Sequence, residues 1–150
     1  MLRSTERAEA RLLLDTSTEF GARVSRRLRE DRVIWLTTVR ADLTPQPSPV
    51  WFFWDGQTFL IYSQPNQQKL RNIQHNPKVA LHLDGDGMGG NIVVFTGQAR
   101  VAIDARPANE VDEYVQKYRR AIARIGMTPE SFAHTYSVPL QVTPTKLRGH

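Results

Sequence analysis

Prolines at positions 45, 47 and 49 alternate through Pro45-Gln46-Pro47-Ser48-Pro49-Val50, and this spacing constrains the fold more than any other feature of the chain. A helix cannot hold prolines so closely spaced, and a strand with neighbours on both sides would lose a ladder hydrogen bond at each one. The segment therefore predicts an edge strand, with its prolines on one side guarding it against pairing with another sheet. The same alternation leads to the expectation that the N–H groups of Gln46, Ser48 and Val50 are free to meet a ligand.

The prolines run into Val50-Trp51-Phe52-Phe53-Trp54, then Asp55-Gly56, then Thr58-Phe59-Leu60-Ile61-Tyr62-Ser63. Asp-Gly between two aromatic, β-branched runs signals a hairpin. With so much apolar surface in both arms, the sheet must be buried, inside a barrel or against a partner subunit. Gln64-Pro65-Asn66 ends the second arm. Asn66 is the expected cap of a helix over Gln67–His75, with Leu70 and Ile73 facing inward. Lys69 then falls at the third helical position, where a cation opposes the helix dipole. An anion beside that first turn would remove the conflict. Free backbone N–H groups and the Ser63 hydroxyl make this a phosphate-holding arrangement, with a solvated lysine as the plain alternative.

The rest of the chain frames this stretch. Helices are expected over residues 1–14, over Glu19–Glu30 with a Phe20/Val24/Leu28 stripe, and from Asp104–Pro107 to about Ala123 with a stripe of Val111, Val115 and Tyr118 or Ile122. A short helix should follow the Thr128-Pro129 cap. Strands are expected over Arg32–Val39, Val50–Trp54, Val79–Leu83 and Ile92–Ile103, the last with a bulge or a close backbone approach at Gly97. A final strand, Val138–Leu147, interrupted by Pro144, is expected to close a barrel. Asp84–Asn91 is rich in glycine but lacks the acidic positions of a calcium loop, and no helix follows it to make a dinucleotide fingerprint. It reads as a mobile hairpin loop.

With 150 residues and no linker or repeat, residues 1–150 are expected to form one domain. Cysteine is absent, which excludes disulfides and thiolate chemistry. No metal-ligand spacing, nucleophile elbow or phosphate-loop motif occurs, so no metal site and no catalytic side chain are assigned. A net charge of +5 suits an anionic partner, and a nucleic-acid binder is the reading from charge alone, although no recognition helix or stacking motif supports it. The charged N-terminus and the lack of a membrane-length apolar run predict a soluble cytoplasmic protein with no membrane span.

From about Arg32 to Arg100 the chain resembles the flavin-reductase-like split β-barrels of the pyridoxamine 5'-phosphate oxidase class. The resemblance rests on RVIWLTTV, PSPVWFFWDG, IYSQPNQQKLRNIQHNPKVAL and the FTGQA of the long strand. It is nearest to the actinobacterial branch of deazaflavin (F420)-dependent reductases. The fold it implies is mainly β with flanking helices, an FMN-binding split barrel that is homodimeric. It implies that Gln46, Ser48, Pro49, Val50 and Trp51 lie along an isoalloxazine-like ring and that Tyr62 and Ser63 approach the phosphate-bearing tail. Lys69 would bind the phosphate with Gln68 beside it, and Asn91 would contribute from the partner chain. FMN-using members of the class often have two adjacent basic residues where Gln68 and Lys69 stand; with one, F420 is the favoured cofactor and FMN the alternative. The implied activity is hydride transfer between F420 and an electron-poor conjugated small molecule such as an enone, quinone or tetrapyrrole. An FMN-dependent oxidase or reductase, a non-catalytic cofactor carrier and a heme-binding relative are the alternatives on the same fold.

Overall fold

A computed structural model describes residues 13–150, and the helix expected over residues 1–14 lies almost wholly outside them. The Thr18 hydroxyl accepts from the Gly21 N–H at 2.9 Å and opens helix α1 (Glu19–Glu30), with Glu19 in its first turn and Arg27 and Arg29 in its last. Its stripe buries Val24 and Leu28, with Phe20 packed partly against the core. Strand β1 (Ile34–Val39) follows, then β2 (Pro45–Val50), β3 (Phe53–Trp54), β4 (Phe59–Ser63), helix α2 (Gln68–His75), β5 (Lys78–His82) and β6 (Val93–Val101). A short 3-10 turn (Ala108–Glu110) leads to α3 (Asp112–Arg124), α4 (Pro129–Thr135) and β7 (Val138–Gly149).

The strands form one antiparallel seven-stranded sheet in the order β2-β1-β5-β6-β7-β4-β3. Its two outermost strands, β2 and β3, are joined in the chain by only Trp51 and Phe52. The two edges of the sheet are therefore a few ångströms apart along the backbone, so the sheet must curl back on itself. The result is an open half-barrel. Strand β7 does not close it, as expected from the sequence, but runs through its middle between β6 and β4. Nor is β7 interrupted at Pro144. The ladder shifts register at Thr96/Gly97, opposite Pro144 and beyond the last residue that β4 pairs, so the missing N–H falls at a bulge.

Strand β2 is an edge strand, as the prolines require. The Arg40 N–H donates to the Thr44 carbonyl at 2.9 Å, and the same register pairs Gln46 with Thr38, Ser48 with Leu36 and Val50 with Ile34. Backbone groups change sides at each residue, so Gln46, Ser48 and Val50 turn their N–H groups toward β1. They are used in the ladder and are not free for a ligand. The outer edge offers the carbonyls of Pro45, Pro47 and Pro49 and no donor.

The single strand expected over Val50–Trp54 is broken at Trp51 and Phe52. There the Phe52 N–H donates to the Tyr118 hydroxyl at 2.8 Å, and Tyr118 donates in turn to the Arg32 carbonyl at 2.7 Å, with the Phe52 carbonyl at 3.0 Å. Lys117 Nζ donates to the carbonyls of Leu28 (3.2 Å) and Phe52 (3.1 Å) and sits 3.6 Å from the Phe52 ring centroid. Two neighbouring side chains of α3 thus satisfy the backbone at the kink and an orphan carbonyl in the last turn of α1. Burial pulls Lys117 down to about 8; nearby Asp31 opposes the shift and Arg32 adds to it.

The main core lies inside the curl and includes Ile34, Leu36, Phe52, Phe59, Ile61, Leu81, Phe95, Leu140 and Val142. Burying each such side chain contributes about 1.5–3 kcal/mol. A second cluster, with Tyr114, Tyr118, Ile122 and Phe132 at its centre, fastens α3 and α4 to the outer face of the hairpin. Helix α3 starts at Asp112, later than expected, because the preceding segment is committed elsewhere: Ala102 N–H bonds the Pro139 carbonyl and Ala105 N–H bonds that of Ala102. No helix among the described residues is long and apolar enough to cross a membrane.

Candidate functional site

Two adjacent clefts open beside β2 and the start of α2. The larger, about 310 Å³, lies between Pro49, Val50 and Trp51 of the kink, Tyr62 and Ser63 at the end of β4, and the aromatic rings of Tyr114, Phe132 and Tyr136. The smaller, about 130 Å³, is lined by Thr38, Gln46, Pro47, Ser48, Gln67, Gln68 and Lys69. Gln67 and Lys69 border both.

Lys69 stands at the second position of α2, not the third, because Gln67 and not Asn66 occupies the cap. Asn66 instead adopts a left-handed backbone, φ 65°, which asparagine tolerates well. Gln67 makes no side-chain capping bond, and the first turn of α2 contains no acidic residue. Among the described residues only two ion pairs form, Arg27–Asp31 and Arg100–Asp104, and Lys69 belongs to neither. Lys69 is half-buried, and loss of hydration holds its amine below the ordinary lysine value. An unpaired, partly desolvated cation next to an uncapped helix N-terminus is a place where bound negative charge is favoured.

The walls of the larger cleft are built by stacking. Trp51 lies parallel to Tyr118 with ring centroids 4.7 Å apart, and to Phe132 at 5.5 Å; Phe132 stacks on Tyr136 at 4.5 Å. Tyr62 meets Tyr114 edge to face at 5.0 Å and donates its hydroxyl proton to the Arg106 carbonyl at 2.7 Å. Burial pushes Tyr62 up to about 12, with Glu110 adding to the shift. The Tyr114 hydroxyl is buried with no hydrogen-bond partner, and burial raises it further still. Tyr62 and Tyr114 therefore stay neutral at physiological pH. Ser63 is buried and donates to the adjacent Gln64 carbonyl at 2.8 Å, which leaves its lone pairs available.

The residues singled out in the sequence divide between the clefts. Pro49, Val50, Trp51, Tyr62 and Ser63 line the larger, Gln46, Ser48 and Gln68 the smaller, and Lys69 both. Asn91 lies in neither. It follows the glycine loop with φ 54°, and its carbonyl accepts from Arg27 at 3.1 Å. Sequence reasoning missed Tyr114, Phe132 and Tyr136. The helical period could have found Tyr114, four residues before Tyr118 on the same face of α3; nothing local to the sequence points α4 at the hairpin.

A curled, open antiparallel half-barrel with helices packed on its outer face and paired clefts beside its split defines a split-barrel protein. The chain belongs to the pyridoxamine 5'-phosphate oxidase family, whose model matches residues 20–150. Among solved structures it is similar to an F420 reductase, with 27% identity and TM-score 0.60 over 81% of this chain and 92% of that one. It is also similar to a conserved hypothetical protein from Mycobacterium tuberculosis, with 20% identity and TM-score 0.66 over 87% and 82% of the two chains. The heme storage protein HutZ from Vibrio cholerae shares the fold at 15% identity and TM-score 0.62, over 88% and 95%. No curated protein sequence matches the chain significantly.

Proposed function

We propose that this protein is an F420-dependent oxidoreductase that passes a hydride between the deazaflavin and an electron-poor conjugated small molecule. The observation that carries the reading is Lys69: a half-buried cation with no carboxylate partner among the described residues, bordering both clefts at an uncapped helix N-terminus. An aromatic wall beside a single cationic cradle suits a planar group with a phosphate-bearing tail. The residues present fit such a group: Lys69 and the first turn of α2 would hold the phosphate, Ser63 would accept or donate beside it, and Trp51 with Val50 and Pro49 would flank the ring. Bound there, the deazaflavin supplies the hydride chemistry. The protein's part is to orient the ring, exclude water with the Trp51–Phe132–Tyr136 stack and polarise the acceptor by hydrogen bonding.

The F420 reductase structure supports this choice of cofactor, as does Gln68. Its side-chain amide is engaged at both ends, donating to Asn72 at 2.8 Å and accepting from Arg71 at 2.8 Å, so Lys69 is the lone basic side chain of the cradle. FMN in the same clefts, in an oxidase or reductase, is the second reading; the family is named for an oxidase. In either case the reading takes residues 1–150 as one cofactor-binding domain of a cytoplasmic homodimer. Asn91, outside both clefts of its own chain, would then reach a site only across the dimer.

Titrating the purified protein with oxidised F420 and with FMN, followed by fluorescence, tests the proposal. Micromolar binding of F420, weakened about thirtyfold by Lys69→Ala, is the expected result, corresponding to about 2 kcal/mol for a charge-assisted contact. Binding of neither cofactor would overturn the functional reading. Binding indifferent to Lys69→Ala would overturn the phosphate assignment, and tight F420 binding without turnover of any conjugated acceptor would make the protein a carrier.

A further inference from the structure

The smaller cleft is bounded by a chain of side-chain amides whose direction is set from outside it. Asn72, fully buried on α2, gives its Nδ2 protons to Thr38 Oγ1 at 2.9 Å and to Gln46 Oε1 at 3.0 Å. Its Oδ1 accepts from Gln68 Nε2 at 2.8 Å, and Gln68 Oε1 accepts from the Arg71 guanidinium at 2.8 Å. The amides could run in either direction if left alone, because each has a donor end and an acceptor end. Thr38 does not choose either, since a hydroxyl both donates and accepts. Arg71 does choose: a guanidinium only donates, so Gln68 must turn its oxygen toward it. Gln68 then offers NH₂ to Asn72, Asn72 offers NH₂ to Gln46, and Gln46 is left with its own NH₂ outside the relay. Reversing the relay would set the Gln68 NH₂ against the guanidinium, donor against donor.

We infer that Arg71, an exposed residue outside both clefts, acts through Gln68 and Asn72 as a positioning residue that makes Gln46 a hydrogen-bond donor, so that the smaller cleft selects a carbonyl or anionic oxygen over an N–H group. Gln46 and Ser48 alternate along β2, and Lys69 faces them from α2 across the same cleft. Gln46 and Lys69 then present donors, and Ser48 can supply a third. The selection of an acceptor-bearing edge rests on the proposed cofactor-binding function; the polarity of the relay does not.

The two parts are separable by experiment. In the unliganded protein, solvent exchange of the side-chain amide protons, read by NMR, should be fast for Gln46 Nε2 and slow for Gln68 Nε2. Arg71→Glu places an acceptor where the guanidinium was and should reverse the relay: Gln46 Nε2 becomes protected, and Gln68 Nε2, turned from buried Asn72 to a solvent-exposed carboxylate, exchanges faster. Arg71→Lys keeps a donor and should preserve the original pattern. A protected Gln46 amide in the unsubstituted protein, or an unchanged pattern in Arg71→Glu, would overturn the inference. With FMN and F420 as probes, Arg71→Glu should weaken binding about tenfold and Arg71→Lys hardly at all. The loss should persist in high salt, which screens a long-range charge effect but not a reversed amide. A loss in Arg71→Glu that vanishes in high salt would overturn the role in selection. If neither probe binds while the exchange pattern follows Arg71, the cofactor reading fails and the relay stands.

Discussion

Removing the hydroxyl of Tyr118 should destabilise the protein out of proportion to one oxygen atom. Tyr118→Phe keeps the ring stacked on Trp51, so packing and volume change little. It removes the acceptor of the Phe52 N–H and the donor to the Arg32 carbonyl, at 2.8 and 2.7 Å. Phe52 is completely buried, and β2 and β3 each end beside it, so its N–H has no strand neighbour to turn to. The lost bond to Arg32 costs about 1 kcal/mol, and an orphaned buried donor about 1–3 kcal/mol, for a total of about 2–4 kcal/mol. In a domain of this size a loss of about 3 kcal/mol lowers Tm by roughly 6–12 °C. Urea unfolding followed by tryptophan fluorescence should show a lower midpoint with an unchanged m-value, because the surface exposed on unfolding is the same. A loss below about 1 kcal/mol would mean that the kink finds another partner and that Tyr118 does not hold the split.

Two further perturbations test the same framework. Lys117 titrates near 8 in the folded protein and at the ordinary, higher lysine value when unfolded, so between those values the unfolded chain binds the extra proton. This group should therefore make stability rise with pH from about 8 to about 10.5; the rise should be lost in Lys117→Met and appear as the difference between the two proteins in urea titrations across that range. Gly97→Ala would drive a methyl into the Thr143 carbonyl oxygen and place it 2.8 Å from Pro144 Cα, both backbone atoms that cannot step aside. Overpacking at the bulge should cost about 3 kcal/mol, measured by the same denaturation assay.

How much of this was legible in the sequence depended on the range of the forces involved. Helix α1 lies at the expected residues because its cap, its stripe and its charges are local to Thr18–Glu30. The Asp55-Gly56 turn is equally local: the Asp55 carboxylate accepts from the Gln57 and Thr58 N–H groups, and Gly56 takes φ 97°. Gly97 was read as a bulge or a close backbone approach, and it is both: the register shifts there and the β7 backbone leaves no room for a side chain. The break in Val50–Trp54 was invisible, since its cause is a tyrosine 66 residues further on. Pro45, Pro47 and Pro49 identified an edge but not its polarity; only the register with β1 shows which backbone groups face out. At the site, residues from β2, β4 and α2 could be grouped because they are near one another in the chain. The rings of α3 and α4 could not, and neither could the amide relay, since Asn72 reads in sequence as one more polar residue on a short helix.

The central place of β7 governs when this protein can exist as a folded object. Strands β2, β1, β5 and β6 can pair as the chain is made, and β3 with β4 can form its hairpin, but these are two separate pieces until β7 bridges β6 and β4. Until then β4 carries Phe59 and Ile61, both destined for the core, on a strand with one open side. Residues 138–149 emerge from the ribosome after the other six strands, so the half-barrel can be completed only once they are out. During translation the unpaired β4 is the segment most in need of protection from aggregation.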